Sequence, residues 1–424
     1  MIEAKGADET APTLWRHGDF LRLWSASAIS GFGARITREG LPMAAVASLG
    51  ATPGQVGILA ACAMAPAVAV GLFGGSRIDR ARKKPVLVGA DILRALTLAL
   101  LPLAALGGWL SLPLVCAVAA VVGALNVVFD VAHHAFLPSL IPRDALLDGN
   151  AKLASTDSVA EVGGPALAGV LFQALTAPIA VAVNAATYLA SAAFLFTLKG
   201  QEAPPEPAEP EHWLADMTSG VRAAFAHPLV RPMLLMSLTQ TLFGSFFAAL
   251  YVIYALKVLG LTQALLGLAV AAGGLGGLLG ALIAPRMTKL IGIGPALIGA
   301  AMISGAIALA TPLAPAGAIP GTTTLVFGQF FGDAFAVASV ITASSLRQSV
   351  LPGDVLARVA GAFHALPGLL GIFGALIGGL LGETIGPRHG LLVAAIGFCA
   401  APLWVLASPL RRLRTVPSED AAPA

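Results

Sequence analysis

The chain is 424 residues long, 57% hydrophobic and only 11% charged, with a mean hydropathy of +0.86. Soluble domains carry about 25% charged residues, so a water-soluble fold is excluded. The net charge of +3 is small and the basic residues are confined to particular loops, which argues against a nucleic-acid partner.

The 48 glycines suit helices that pack closely in a lipid bilayer. Cys62, Cys116 and Cys399 stand in separate apolar stretches, so neither a disulfide framework nor a metal cluster is suggested, and no cofactor is expected.

In chain order, residues 1–19 are polar and lack the basic start, apolar core and cleavage site of a secretory leader, so they read as a tail. Apolar windows follow near 21–47, 55–76, 85–107, 112–141, 153–175 and 177–198. Residues 199–230 break the pattern, and six more windows fall near 231–256, 262–285, 291–313, 321–346, 358–382 and 390–409. Most exceed the roughly 20 residues that a helix needs to cross the hydrocarbon layer. The expectation is an all-α polytopic membrane protein of twelve spans, with six-helix bundles over 20–198 and 231–410 and a tail over 411–424.

Within the break, residues 202–211 are too rich in proline and glutamate to fold and read as an extended linker. Trp213, Met217, Val221 and Phe225 then recur every four residues, which predicts a short helix lying in the membrane interface on that stripe.

An even number of spans puts both ends on one side. All but five of the 25 Lys and Arg lie in segments on that side, including the knot Gly-Ser-Arg-Ile-Asp-Arg-Ala-Arg-Lys-Lys over 75–84. Lys257 and Arg388 fall in opposite loops, and Arg35, Arg38 and Arg94 lie within spans. By the positive-inside rule both termini are expected in the cytoplasm, which for a bacterial-type protein means a multi-pass protein of the inner membrane.

The halves also echo each other. Ser139, Pro142 and Asp144 recur 210 positions later as Ser349, Pro352 and Asp354, and Gly169 and Leu171 recur as Gly379 and Leu381. At an offset of 209, Arg77 and Arg80 meet Arg286 and Lys289, so a six-span unit reads as duplicated.

From about residue 18 to 410 the sequence resembles the major facilitator superfamily, and within it the bacterial macrolide-efflux and enterobactin-exporter type. Gly75, Asp79, Arg80, Lys83 and Lys84 match the superfamily's loop motif between the second and third spans, with Arg82 in place of its second glycine, as in that exporter subgroup. Similar stretches are 90–94, 137–143 and 346–358. Residues 164–169, with Gly164, Pro165 and Gly169, resemble the Gly-Pro motif of drug/proton antiporters, with Ala168 where a glycine is usual. The resemblance implies two bundles rocking about a central cavity lined by the first, fourth, seventh and tenth spans.

Carried onto this chain, that lining comprises Arg35, Arg38 and Glu39, Asp130 and His134, Gln240 and Thr241, and Gln329 and Asp333. Charges within a membrane cost roughly 2.5–3.5 kcal/mol each on insertion scales, so each needs a partner or water. Arg38 and Glu39 are candidates for binding a polar group of a substrate, and Glu39, Asp130 and Asp333 for carrying a proton. The alternative is a permanent structural network joining Arg38 to Glu39 or Asp130. Asp91 and Arg94, three apart on the third span, read as a structural ion pair. In the loop motif, Asp79 is placed to pair with Arg358 as a latch between the halves.

His133 and His134 are adjacent and diverge by about 100 degrees on a helix, so they cannot share one metal. No phosphate-cradling loop is present. The reading is a secondary exporter, not an enzyme, that moves small amphipathic molecules such as drugs, macrolide-like compounds or siderophores in exchange for protons, as a monomer in the bilayer. The alternatives are an uptake symporter or facilitator and, more remotely, a membrane enzyme using Asp130, His133 and His134.

Overall fold

A computed structural model describes residues 14–74, 78, 80–199 and 213–415. Among the described residues every regular element is helical. The first half contains α1 (Gly18–Ser48), α2 (Pro53–Phe73), α3 (Lys83–Leu106), α4 (Leu112–Leu140), α5 (Leu146–Ala174) and α6 (Ala177–Phe196). A short helix, α7 (Trp213–Ala226), leads into the second half. There α8 (Val230–Ile253), α9 (Gln263–Ile291), α10 (Ile293–Ala308), α11 (Ala318–Val350), α12 (Gly353–Ile385) and α13 (Pro387–Ala400) follow. A π-helical turn, Tyr254–Val258, extends α8, and single turns at Ala310–Leu313 and Leu403–Leu406 extend α10 and α13.

Ten of these helical stretches are long and apolar enough to cross a membrane by composition alone. The other two full-length helices, α1 and α5, carry the charges: Arg35, Arg38 and Glu39 on one, Asp157 and Glu161 on the other. They pack on each other, so that Glu161 of α5 pairs with both Arg35 and Arg38 of α1 and makes those charges tolerable.

Local signals fix the turns. Thr52 and Gln55 form a reciprocal capping box at the start of α2, with Pro53 at its first position, where a missing N–H costs nothing. Gly292, between α9 and α10, has φ +91°, and a Cβ there would also meet Arg414 Cα at 2.9 Å.

Both described chain ends lie at one face, here the terminal face; the opposite one is the far face. Toward the far face the two halves share one apolar core, in which Met43, Val56 and Phe172 of the first half join Leu250, Tyr254 and Leu266 of the second. Toward the terminal face each half has its own core: Phe20, Leu87 and Phe136 in the first, Val230, Leu297 and Leu346 in the second. The halves touch mainly through α2 on α12 and α5 on α9. Down the α2–α12 seam, Gly57 and Gly379 meet backbone to backbone at the far face. Val68 stands beside Gly368 midway, and a Cβ at Gly361, one further helical repeat along, would meet nothing within 4 Å. Among the described residues the seam is therefore less tightly packed toward the terminal face.

A short helix, α7, forms where the stripe predicts one, and the residues that seat it on the protein lie off that stripe. Met217 and Val221 are half-buried and Phe225 is exposed, whereas Gly220 and Ala224 are buried. Gly220 presses on the Arg358 carbonyl, close enough that a Cβ would lie 2.2 Å from it. A small-residue face lets the two backbones approach, so packing on α12 decides the roll of this helix and leaves the bulkier stripe outward. The linker expected over 202–211 lies outside the described residues.

Candidate functional site

Two cavities flank the plane between the halves. The larger, about 640 Å³, is walled by α1, α2, α4 and α5 and receives Arg35, Arg38, Asp130, His134 and Asp157. The smaller, about 430 Å³, is walled mainly by the second half and receives Gln329 and Asp333 beside Phe247, Tyr251 and Phe398, with Glu39 reaching in from α1. Arg38 borders both.

The arginines converge on an acid that the sequence reading passed over. Arg35 Nε donates to Glu161 Oε2, and Arg38 Nη2 donates to Glu161 Oε1 at 2.8 Å. Arg38 Nε also donates to Glu39 Oε1 at 2.9 Å, so one guanidinium joins α1 to α5 and ties down its neighbour. The alternative partner for Arg38, Asp130, is not used. Gly164 makes the approach possible, since a Cβ there would lie 2.4 Å from Arg35 Cβ. Glu161 and Asp157 sit four apart in a stretch read as an apolar span; two acids at helical spacing in such a window were the available signal.

With the arginines engaged, the carboxylates of Asp130, Asp157 and Asp333 make no ion pair or hydrogen bond to any described residue and face cavity space. Asp333 lies against the backbone of α9, where a Cβ at Gly273 would come within 2.1 Å of its Oδ2, so Gly273 is what admits it. His134 Nδ1 lies 2.8 Å from the Asp130 carbonyl oxygen, one turn back on α4, which leaves Nε2 toward the cavity. His133 also borders this cavity but is buried and stacked on Phe129. No cluster with metal-ligand composition occurs among the described residues.

Not every expected lining residue is brought in. Gln240 borders neither cavity, and the Thr241 methyl packs toward Gly371 of α12, in the seam between helices. Asp91 and Arg94 do form the expected ion pair, at 2.8 Å and almost fully buried. Arg94 also donates to Ser30 Oγ and the Leu125 carbonyl oxygen and lies over the Phe129 ring, a set of contacts within the first half only.

Of the loop motif, Gly75 and Asp79 lie outside the described residues. Arg80 is exposed. Lys83 Nζ donates to the carbonyls of Ile78 and Ala81, and Lys84 Nζ to that of Leu198, so both lysines tie backbone ends at the terminal face. Arg358 Nη1 is 3.5 Å from Ser219 Oγ of α7.

The Gly-Pro stretch of α5 lies on the seam with α9. α5 runs unbroken through Pro165, and the Pro165 carbonyl would lie 2.5 Å from a Cβ on Gly267, while Gly169 meets the same glycine. Small-residue packing is the visible role. At the far face Gln173 Oε1 accepts from Ala264 N at 2.9 Å, and Glu383 Oε2 accepts from Gly54 N at 2.9 Å, each crossing from one half to the helix start of the other. The 210-residue offset relates these contacts, Gln173 to Glu383 and Ala264 to Gly54, and likewise Gly57 to Gly267 and Gly169 to Gly379. The duplicated sequence thus closes the far face by one contact made twice.

The sequence profile of the Major Facilitator Superfamily matches residues 23–375. The chain belongs to this superfamily. Its curated relatives include the uncharacterised MFS-type transporter YfiS of Bacillus subtilis, 25% identical over 88% of this chain and 89% of that one. Another is the multidrug efflux pump Tap of Mycolicibacterium fortuitum, 24% identical over 94% and 97%. Among solved structures, a mutant of the nucleoside transporter NupG superposes with TM-score 0.74 at 14% identity, over 92% of this chain and 99% of that one. A bacterial homologue of the iron transporter ferroportin in its inward-facing state gives 0.71 at 16% identity, over 92% and 98%. The chain is therefore a membrane-embedded transporter with the superfamily's all-α fold.

Proposed function

We propose that this protein exports small amphipathic molecules from the cytoplasm by alternating access, in exchange for protons. One observation carries the reading: the halves share a core at the far face and separate toward the terminal face, with charged cavities between them at mid-depth. The Lys and Arg bias makes the terminal face cytoplasmic, so the described state is open to the cytoplasm. The resemblance to Tap supports efflux, and a cavity walled partly by aromatic rings suits amphipathic cargo. The carboxylates of Asp130, Asp157 and Asp333, without cationic partners among the described residues, supply groups able to take up and release a proton between states.

The test is drug-driven proton movement in vesicles containing the purified protein. Asp333→Asn is expected to abolish proton movement while the thermal shift produced by a bound drug persists. Coupling unchanged after Asp130, Asp157 and Asp333 are each neutralised would overturn the antiport reading. A drug gradient driven inward by protons would favour the uptake symporter instead.

A further inference from the structure

On the reverse side of α1 and α5, away from both cavities, a groove of about 520 Å³ runs inward from the terminal face. Its mouth is aromatic and basic. Trp15, in a short turn ahead of α1 (Leu14–Arg16), meets Trp24 edge to face at 5.2 Å, and Lys152 of α5 holds its Nζ 5.3 Å from the Trp15 ring. Lys152 is ion-paired with Asp148, but an ammonium has three donors, so this contact orients the group without exhausting it. Halfway in come the hydroxyls of Ser155 and Thr156, and beyond them the surface is Ala28, Phe32 and Val159.

The order of these groups has a chemical meaning. Lys152 to Val159 is a rise of about 10 Å along α5, within the roughly 15 Å depth of one hydrocarbon leaflet. Charge and indole rings lie at headgroup level, hydroxyls at ester level and apolar side chains at acyl level. Val159 is 60% exposed, so the deep end opens sideways to the bilayer. Tryptophan at this level marks the membrane interface, and a juxtamembrane lysine favours anionic headgroups.

We propose that the α1–α5 groove binds one anionic phospholipid, with its phosphate at Lys152 beside the Trp15–Trp24 pair and an acyl chain along Phe32 and Val159. Trp24 Nε1 donates to Thr156 Oγ1 at 2.8 Å across the groove, so the lipid braces the same two helices that carry the Arg35, Arg38 and Glu161 bridge on their other side. This site is independent of the transported substrate.

The test uses the full-length protein in neutral detergent, titrated with phosphatidylglycerol, with phosphatidylcholine of the same acyl chains, and with glycerol 3-phosphate. Phosphatidylglycerol is expected to raise the melting temperature saturably, and the other two are not. Lys152→Gln should bind phosphatidylglycerol about fivefold more weakly, as expected for removing one charge near an anionic headgroup. Ala28→Trp fills the groove without changing any charge, and native mass spectrometry should then show one fewer tightly held phosphatidylglycerol. Equal shifts from both phospholipids, a shift from glycerol 3-phosphate alone, or an unchanged lipid count in Ala28→Trp would each overturn the proposal.

Discussion

The two ends of the α2–α12 seam use the same residue type to opposite effect. At the far face Gly57 and Gly379 let two backbones touch, whereas at the terminal face Gly71 and Gly361 border open space. Glycine therefore marks where helices are able to meet, and among the described residues the two ends differ in whether they do. A second contrast lies within the closed side. The far-face cap from Gln173 to α9 is neutral and that from Glu383 to α2 is a carboxylate, although duplication made the two positions equivalent. A carboxylate at a helix N-terminus gains from the helix dipole as well as from the hydrogen bond, so the symmetric contact is asymmetric in strength.

The largest effect should come from a residue that takes no part in the contrast. Asp91→Ala leaves Arg94 buried without its carboxylate and is expected to lower stability by about 3–5 kcal/mol. Thermal unfolding should register this loss, while distances between spin labels across the far face stay unchanged, because the pair lies within one half.

Gly57→Leu strikes the contrast itself. A Cβ at position 57 would lie 2.6 Å from the Ala375 carbonyl oxygen, so overpacking of about 1–3 kcal/mol is expected against the described state. Far-face label distances should lengthen, and a far face that stays closed would break the comparison.

Smaller shifts in the same distances are expected from removing the caps, with Glu383→Ala opening the far face more than Gln173→Ala; equal shifts would show that the charge adds nothing. Gly361→Leu should change the described state by no more than about 0.5 kcal/mol, since its side chain enters open space. Its effect should appear only as slowed transport, when the terminal face has to close.

Much of this was legible in the chain. The apolar windows anticipated each long helix to within a few residues, save at the terminal-face ends of α5, α9, α11 and α12, where charged residues continue the helix beyond the apolar stretch. The site was less legible. Arg35, Arg38, Glu39, Asp130 and Asp333 stood out as charges in apolar stretches, but the acid that binds both arginines, Glu161, lay on a helix that the resemblance did not place at the cavity. Gln240 borders neither cavity, and its position in the pattern says nothing of which side of α8 faces inward. The repeat was visible through Gly169 and Gly379, yet their partners Gly267 and Gly57 gained meaning only when the halves were seen in contact.

The sequence by itself determined that this is a duplicated helical membrane protein, because hydrocarbon thickness, internally satisfied hydrogen bonds and loop charge act on local stretches of chain. Which charges meet, which glycines touch and which side is open were decided only in the tertiary structure, because these depend on the roll and tilt of helices far apart in sequence, and in a bilayer those are set by close packing between neighbours.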